Sequence, residues 1–292
     1  MMESMRRHTG FDGLRFHGAR GATCGLAVVW LLLAGLARAA PPLDANGLAG
    51  YAEFRQAPAH RAFAIAPGGA WSWRGDMPSP ELAMQAALDD CRRQARRTCL
   101  PYALDAKVVF NPQDWAQAWR PYATSAQARR ASVGIKPGQR FPDLAWRDQH
   151  GKAQTLTAQR GRVVLLHFWG SWCPPCQREM PDLHKLYVRL KAAPDIRMVF
   201  LPVGEPAAKS RAWLRERRIA VPVADAGGAA EDKGAFRLGD GGRIADRDLA
   251  RAFPTSYVID RNGIVLFAQV GPVHDWLALE PLLRDAARAN VQ

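Results

Sequence analysis

The chain has 292 residues, 48% hydrophobic and 23% charged, a balance that excludes a mainly disordered protein and leaves room for two domains. Its net charge of +13 raises nucleic acid or an anionic membrane as partners. The basic residues are scattered among acids, as in Arg215-Glu216-Arg217-Arg218 and Asp246-Arg247-Asp248, and no nucleic-acid motif accompanies them, so no nucleic-acid partner is expected.

Arg6, Arg7, Arg15 and Arg20 precede an apolar run from Leu26 to Leu36, and Ala37-Arg38-Ala39 supplies small residues after it. That is the pattern of a signal peptide, residues 1–39, cleaved after Ala39. The run is shorter than the ~20 residues of a spanning helix, and an N-terminal membrane anchor is the alternative. Cys24 lies in this segment, outside any lipobox, and is lost with it. The expected product is periplasmic and keeps Cys91, Cys99, Cys173 and Cys176. An even count in an exported chain fits two local disulfides, Cys91 with Cys99 and Cys173 with Cys176.

Residues 40–122 read as a small α+β module. Phe63 to Ala66 is strand-like and Pro67-Gly68-Gly69 a turn. Ser79-Pro80-Glu81 is a helix start, with Ser as N-cap and Pro at the first helical position. Met84, Leu88, Cys91 and Ala95 recur at helical spacing, which puts Cys91 on the buried face. Cys99 lies just past the helix end, so a Cys91–Cys99 bond staples the helix to a strand expected over residues 106–110. Such a staple suits a domain whose core alone gives only ~3–5 kcal/mol. Trp71, Trp73, Trp115 and Trp119 either fill that core or form a binding face.

Residues 123–137 are polar and rich in small residues, and read as a linker. From 138 to 292 a second domain follows. Short strand-like pieces over 139–144 and 154–156 flank a turn at His150-Gly151. Then come a strand over 163–168, a helix over 177–191, a strand over 196–203 and a helix over about 207–218. A Gly-rich stretch, 226–242, reads as a flexible insertion; no strand leads into its Gly239-Asp240-Gly241-Gly242, which is therefore no phosphate loop. Strands over 256–260 and 264–270 and a last helix over 275–289 complete an α/β sandwich of mixed strand direction.

The chemistry is carried by Cys173-Pro174-Pro175-Cys176, set between the apolar strand and the helix. A Cys-x-x-Cys there is the context of a redox dithiol. The helix start favours a thiolate at Cys173, the nucleophile, and Cys176, one turn in, suits the resolving role. Half a zinc site is the alternative, but no second Cys-x-x-Cys or His pair completes it, and Gln177 stands where haem attachment needs His. No metal and no organic cofactor are expected beyond the dithiol itself.

The run from Gly161 through Trp172-Cys173-Pro174-Pro175-Cys176 to Pro181, with Gly151 and Leu156 before it, resembles the TlpA/ResA/DsbE group of thioredoxin-like proteins. Phe253-Pro254-Thr255-Ser256-Tyr257-Val258-Ile259-Asp260 and Asn262-Gly263 resemble that group's second signature. The likeness spans about residues 134–290. It implies a thioredoxin-like fold and an exported thiol-disulfide oxidoreductase, several relatives serving as reductants in cytochrome c maturation. It further implies a protein disulfide as substrate and a membrane thiol carrier as electron donor. By the same likeness Pro254 is cis and faces the Cys pair, and Trp172 and Phe253 flank a bound partner.

Glu179 matches an acid that tunes thiol acidity in the group; a solvated helix acid is the alternative. Pro181 matches a proline that kinks the helix. Two positions depart. His167 stands where thioredoxin has a buried Asp and many relatives Asn, and is either a proton carrier for Cys176 or a hydrogen-bonded core side chain. Phe253 is bulky for its place, which points to different partners. The module before residue 123 lies outside the resemblance. A rival reading is a periplasmic adaptor, with the module recruiting a partner and the thioredoxin-like part as scaffold.

Overall fold

The computed structural model describes Leu43 and residues 45–95, 97–227, 234–273 and 275–289; the expected signal segment lies outside them. The described residues belong to one compact unit. None of their helices is long and apolar enough to cross a membrane.

The first elements are α1 (Ala45–Gln56), β1 (Ala62–Ile65), β2 (Trp71–Arg74), α2 (Pro80–Ala95), β3 (Leu100–Leu104) and β4 (Lys107–Val108). The strands form an antiparallel sheet in the order β2-β1-β3-β4. α2 starts as its sequence dictates: the Ser79 hydroxyl accepts from the Leu82 N–H, and Pro80 costs no helical hydrogen bond. Its buried face is Ala83, Ala87 and Cys91, packed on Ala62 and Ala64 of β1, while Met84, Leu88 and Ala95 are only half-buried. Small side chains on both elements let the backbones approach closely, so the stripe is turned from the one expected.

Cys91 and Cys99 are joined, with Cα atoms 6.1 Å apart. The bond ties α2 to β3, not to a strand over 106–110, of which only Lys107 and Val108 pair. Pro101 sits where the β1–β3 register shifts, the irregularity that lets a proline stand inside a strand.

α3 (Pro112–Ala118) follows, capped by Asn111. Trp115 and Trp119 are buried, and Trp71 and Trp73 pack half-buried against the same aromatic core. Residues 123–137, expected to be a linker, hold α4 (Ser125–Arg130) behind a capping box. There the Thr124 hydroxyl accepts from Gln127 N, and the Gln127 side-chain oxygen Oε1 accepts from Thr124 N.

The second part comprises β5 (Ala145–Arg147), β6 (Ala153–Thr155), β7 (Val163–Trp169), α5 (Pro174–Leu190), β8 (Ile196–Pro202), α6 (Ala207–Glu216), β9 (Ala235–Arg237), β10 (Arg243–Ala245), α7 (Asp246–Leu249), β11 (Thr255–Ile259), β12 (Val265–Val270) and α8 (Glu280–Arg288). The central sheet runs β12-β11-β7-β8, with β7 and β8 parallel and the other pairs antiparallel. A parallel pair needs a crossover, and α5 supplies it. All seven residues of β7 are buried, as a strand covered on both faces requires. Val163, Leu165 and Trp169 meet a cluster fed by α5, α6 and α8; Val164, Leu166 and Phe168 meet a second one with Phe141, Phe236 and Tyr257. This is a thioredoxin-like fold preceded by a small α+β sheet.

Within the Gly-rich stretch lies β9, which forms a hairpin with β10 whose turn carries Asp240 and Gly241. The two sheets share one apolar cluster, from Phe63 and Trp115 to Trp276 and Leu283. Polar ties join them. Asp285 of α8 accepts from Arg120 and from the Tyr122 hydroxyl, the latter at 2.7 Å.

Candidate active site

β7 ends at Trp169, and Gly170-Ser171-Trp172 lead into Cys173, the N-cap of α5. Cys173 has an extended backbone, φ −96° and ψ 107°, and its sulfur accepts from the Cys176 N–H at 3.3 Å. Pro174 and Pro175 fill the first turn, where missing N–H groups break no helical bond. Cys173 and Cys176 form a disulfide, and are 3% and 0% exposed. On reduction, the helix N-terminus favours negative charge on the Cys173 sulfur.

The Phe253–Pro254 peptide, just before β11, is cis. Thr255 pairs with Phe168 and Ser256 with His167, so Pro254 is held beside the end of β7 that launches the Cys loop. The Trp172 and Phe253 rings meet edge to face, 5.5 Å between centroids. Trp172 is 48% exposed, and its indole N–H donates to the Val203 carbonyl at 2.9 Å. A Cβ on Gly170 would stand 2.4 Å from that indole nitrogen, which explains glycine there.

Behind the pair lies a buried polar group. Glu179 is 6% exposed and is no solvated acid. Its Oε2 accepts from the Val273 N–H at 3.0 Å and from the Trp276 indole at 3.1 Å. Its Oε1 faces His167 Nε2 at 3.5 Å, and neither atom has another partner among the described residues. The other ring nitrogen of His167 bonds the Ser256 hydroxyl at 2.9 Å. Burial pushes the Glu179 carboxyl up to about 7, against the opposing pull of its two donors. Burial pushes His167, wholly enclosed, down to about 3. Both shifts favour a protonated Glu179 beside a neutral imidazole. Pro181 lies inside α5, one turn before Lys185, and is exposed.

Sequence reasoning missed Glu205. It stands between β8 and α6, is 3% exposed, and accepts from the Ser171 N–H, the Ser171 hydroxyl and the Ser210 hydroxyl, each at 2.6 Å. It pins the residue two before Cys173. An acid directly after an apolar strand was its only signal. Trp276, Val273 and Ser256 were likewise unforeseen partners of Glu179 and His167. Cys91 and Cys99, on α2 and just before β3, do not join this site. Among the described residues no group of three or more His, Cys, Asp or Glu side chains is placed to hold a metal ion.

A dithiol pair at a helix N-terminus, after the first strand of a parallel β-α-β unit whose end lies beside a cis-proline, defines a thioredoxin-like thiol-disulfide oxidoreductase. The chain belongs to the Redoxin family, whose model matches residues 136–281. It is 28% identical over 154 residues to the thioredoxin-like protein YneN of Bacillus subtilis, covering 52% of this chain and 81% of that one. It is 28% identical over 144 residues to the thiol-disulfide oxidoreductase ResA of Geobacillus thermodenitrificans, covering 49% and 75%. Among solved structures, a thioredoxin family thiol:disulfide interchange protein from Chlorobium tepidum is similar at 22% identity and TM-score 0.38, covering 52% of this chain and 97% of that one. The family match begins after the N-terminal sheet.

Proposed function

We propose that the protein is an exported reductase of disulfides in partner proteins, acting through Cys173 and Cys176. The observation that carries this reading is the Cys173–Cys176 pair at the start of α5, with cis-Pro254 held beside the end of β7 that launches the Cys loop. Residues 1–39 act as the signal peptide, 40–122 as the accessory module, and 138–292 as the redox domain joined to it through 123–137. The site faces the periplasm, where a dithiol needs a supply of electrons, and a membrane thiol carrier provides them. Disulfides of apocytochrome c and of other exported proteins are the candidate substrates, on the resemblance alone.

In the cycle, the Cys173 thiolate attacks one sulfur of the partner disulfide. The partner's S–S bond breaks, a Cys173–partner disulfide forms, and the other partner sulfur leaves as thiolate. Cys176 then gives up its proton, attacks the Cys173 sulfur, and releases the second partner thiolate. Two electrons have passed to the partner, and the protein is left with the disulfide seen here. Trp172 and Phe253 form the aromatic rim on which the partner rests, and Phe253, just before β11, presents its backbone to the partner strand. His167 and Glu179 lie on the buried side, Glu179 one helical turn after Cys176, and set the acidity of the resolving thiol. The Cys91–Cys99 bond is a staple outside the cycle.

The test is turnover of a protein disulfide by the reduced enzyme. The wild type reduces it and Cys173→Ser does not. Equal turnover by both removes Cys173 from the chemistry.

A further inference from the structure

Beside the dithiol, α5 and the end of α6 enclose an open groove of about 560 Å³. It starts at Gln177, directly after Cys176, whose side-chain amide donates to the Ser171 carbonyl at 2.6 Å. Pro181, Trp213 and Ile219 give it an apolar floor, and Arg178, Lys185, Arg217 and Arg218 a cationic rim. No acid lines it. Two acids stand beside it: Asp182 pairs with Lys185 at 2.8 Å and Glu216 with Arg217 at 3.3 Å. Arg217 is also held over the Trp213 ring, 4.2 Å from its centroid. The guanidinium groups of Arg178 and Arg218 have no partner among the described residues and are exposed. The rim therefore keeps an uncompensated positive charge next to the redox pair.

We infer that this groove binds an acidic, extended segment of the partner protein, the stretch that flanks the disulfide being exchanged. The inference rests on the thiol–disulfide reading. From Gln177 to Lys185 the groove follows about two turns of α5, about 12 Å, the span of about four extended residues. An extended segment turns alternate side chains to a floor and to a rim, and the floor is apolar while the rim is cationic. A concave groove that begins one residue after Cys176 suits a strand better than a flat bilayer surface. Charge of this kind acts mainly on encounter, and so on kcat/KM at low salt.

The experiment uses the reduced full-length protein and two synthetic peptides, each with one disulfide, flanked by Glu in one and by Gln in the other. At low ionic strength the wild type is expected to turn over the Glu-flanked peptide about 10-fold faster. At about 0.5 M salt the preference falls to about 2-fold or less. The double variant Arg178→Glu/Arg218→Glu loses the preference, read as the ratio of its own rates on the two peptides so that any common change in thiol reactivity cancels. The salt titration of the wild type gives the same answer without substitution. Equal rates on the two peptides, or a preference that the double variant retains, overturn the inference and leave the thiol–disulfide reading standing. Binding to vesicles containing anionic lipid that the double variant abolishes, without a peptide preference, makes a membrane the occupant and overturns it too. No turnover of either peptide by the wild type overturns the thiol–disulfide reading itself.

Discussion

The Glu179 carboxyl oxygen Oε1 lies 3.5 Å from His167 Nε2, in a place where neither atom has any other partner among the described residues. Burial favours one proton for the two, held on Glu179 beside a neutral imidazole. On Glu179 it points at the imidazole lone pair, with the other ring nitrogen on Ser256. Removing it leaves a buried carboxylate beside an imidazole that is flanked by the Trp276 and Phe200 rings, and burial opposes that up to about pH 7. The pair sits between β7 and α5, one turn beyond the resolving cysteine.

Stability should carry the mark of Glu179. Its folded pKa, about 7, is above the ordinary carboxylate value, so its contribution is fully present below about pH 4.5. As pH rises the unfolded chain gives up this proton first, and stability is lost up to about pH 7, on the order of 3 kcal/mol. His167 acts in the opposite sense: its depressed value contributes stability above about pH 6.5 that is lost as pH falls toward about 3. Glu179→Gln mimics the protonated carboxyl and leaves the His167 contribution in place. Urea unfolding of the oxidised protein should show little difference between variant and wild type at pH 4.5, and a more stable variant at pH 8. A difference independent of pH contradicts the buried-acid assignment.

The same substitution should move the thiol titration. Above about pH 7 an ionised Glu179 one turn from Cys176 opposes a second negative charge there. Glu179→Gln lowers the apparent pKa of Cys176 by about one unit, read from thiolate absorbance or alkylation rate against pH. A purely structural role for Glu179 changes stability and leaves this profile where it was.

Glu205 should matter through Ser171. Glu205→Ala strips the acceptor from three hydrogen bonds at 2.6 Å and leaves buried donors unpaired. A loss of about 2–4 kcal/mol is expected, with slower exchange, because the loop that presents Trp172 and Cys173 is no longer pinned. Glu205→Gln keeps an acceptor oxygen and should cost about half as much. Unchanged turnover in Glu205→Ala, at a temperature where it is folded, would show that the clamp is structural only.

The Cys91–Cys99 bond closes a short loop, and Cys91→Ser/Cys99→Ser should cost about 2–3 kcal/mol by thermal or urea unfolding. Both sulfurs are buried and lie in the N-terminal module, so turnover of the folded double variant should stay within about 2-fold of wild type.

Much of the redox half was legible because its signals are local. β7 reads as an unbroken apolar run since a central strand is covered on both faces, and the Cys-x-x-Cys after it marks the helix start. What escaped depends on contacts distant in sequence. β3 holds Pro101, which argues against a strand until the register shift against β1 is seen. Residues 123–137 read as a linker by composition, although Thr124 and Gln127 form a capping box. Glu205 goes unnoticed in the sequence because Ser171, its partner, is 34 residues away. His167 was singled out, but its partners Ser256 and Glu179 come from β11 and α5.

The most direct test of the Cys173–Cys176 cycle is intact-mass analysis of the reduced Cys176→Ala variant incubated with a disulfide-bonded protein. A covalent adduct of one partner per chain, mapping to Cys173, released by dithiothreitol and absent from Cys173→Ser/Cys176→Ala, is the expected result. No adduct, or one that maps to Cys91 or Cys99, contradicts it.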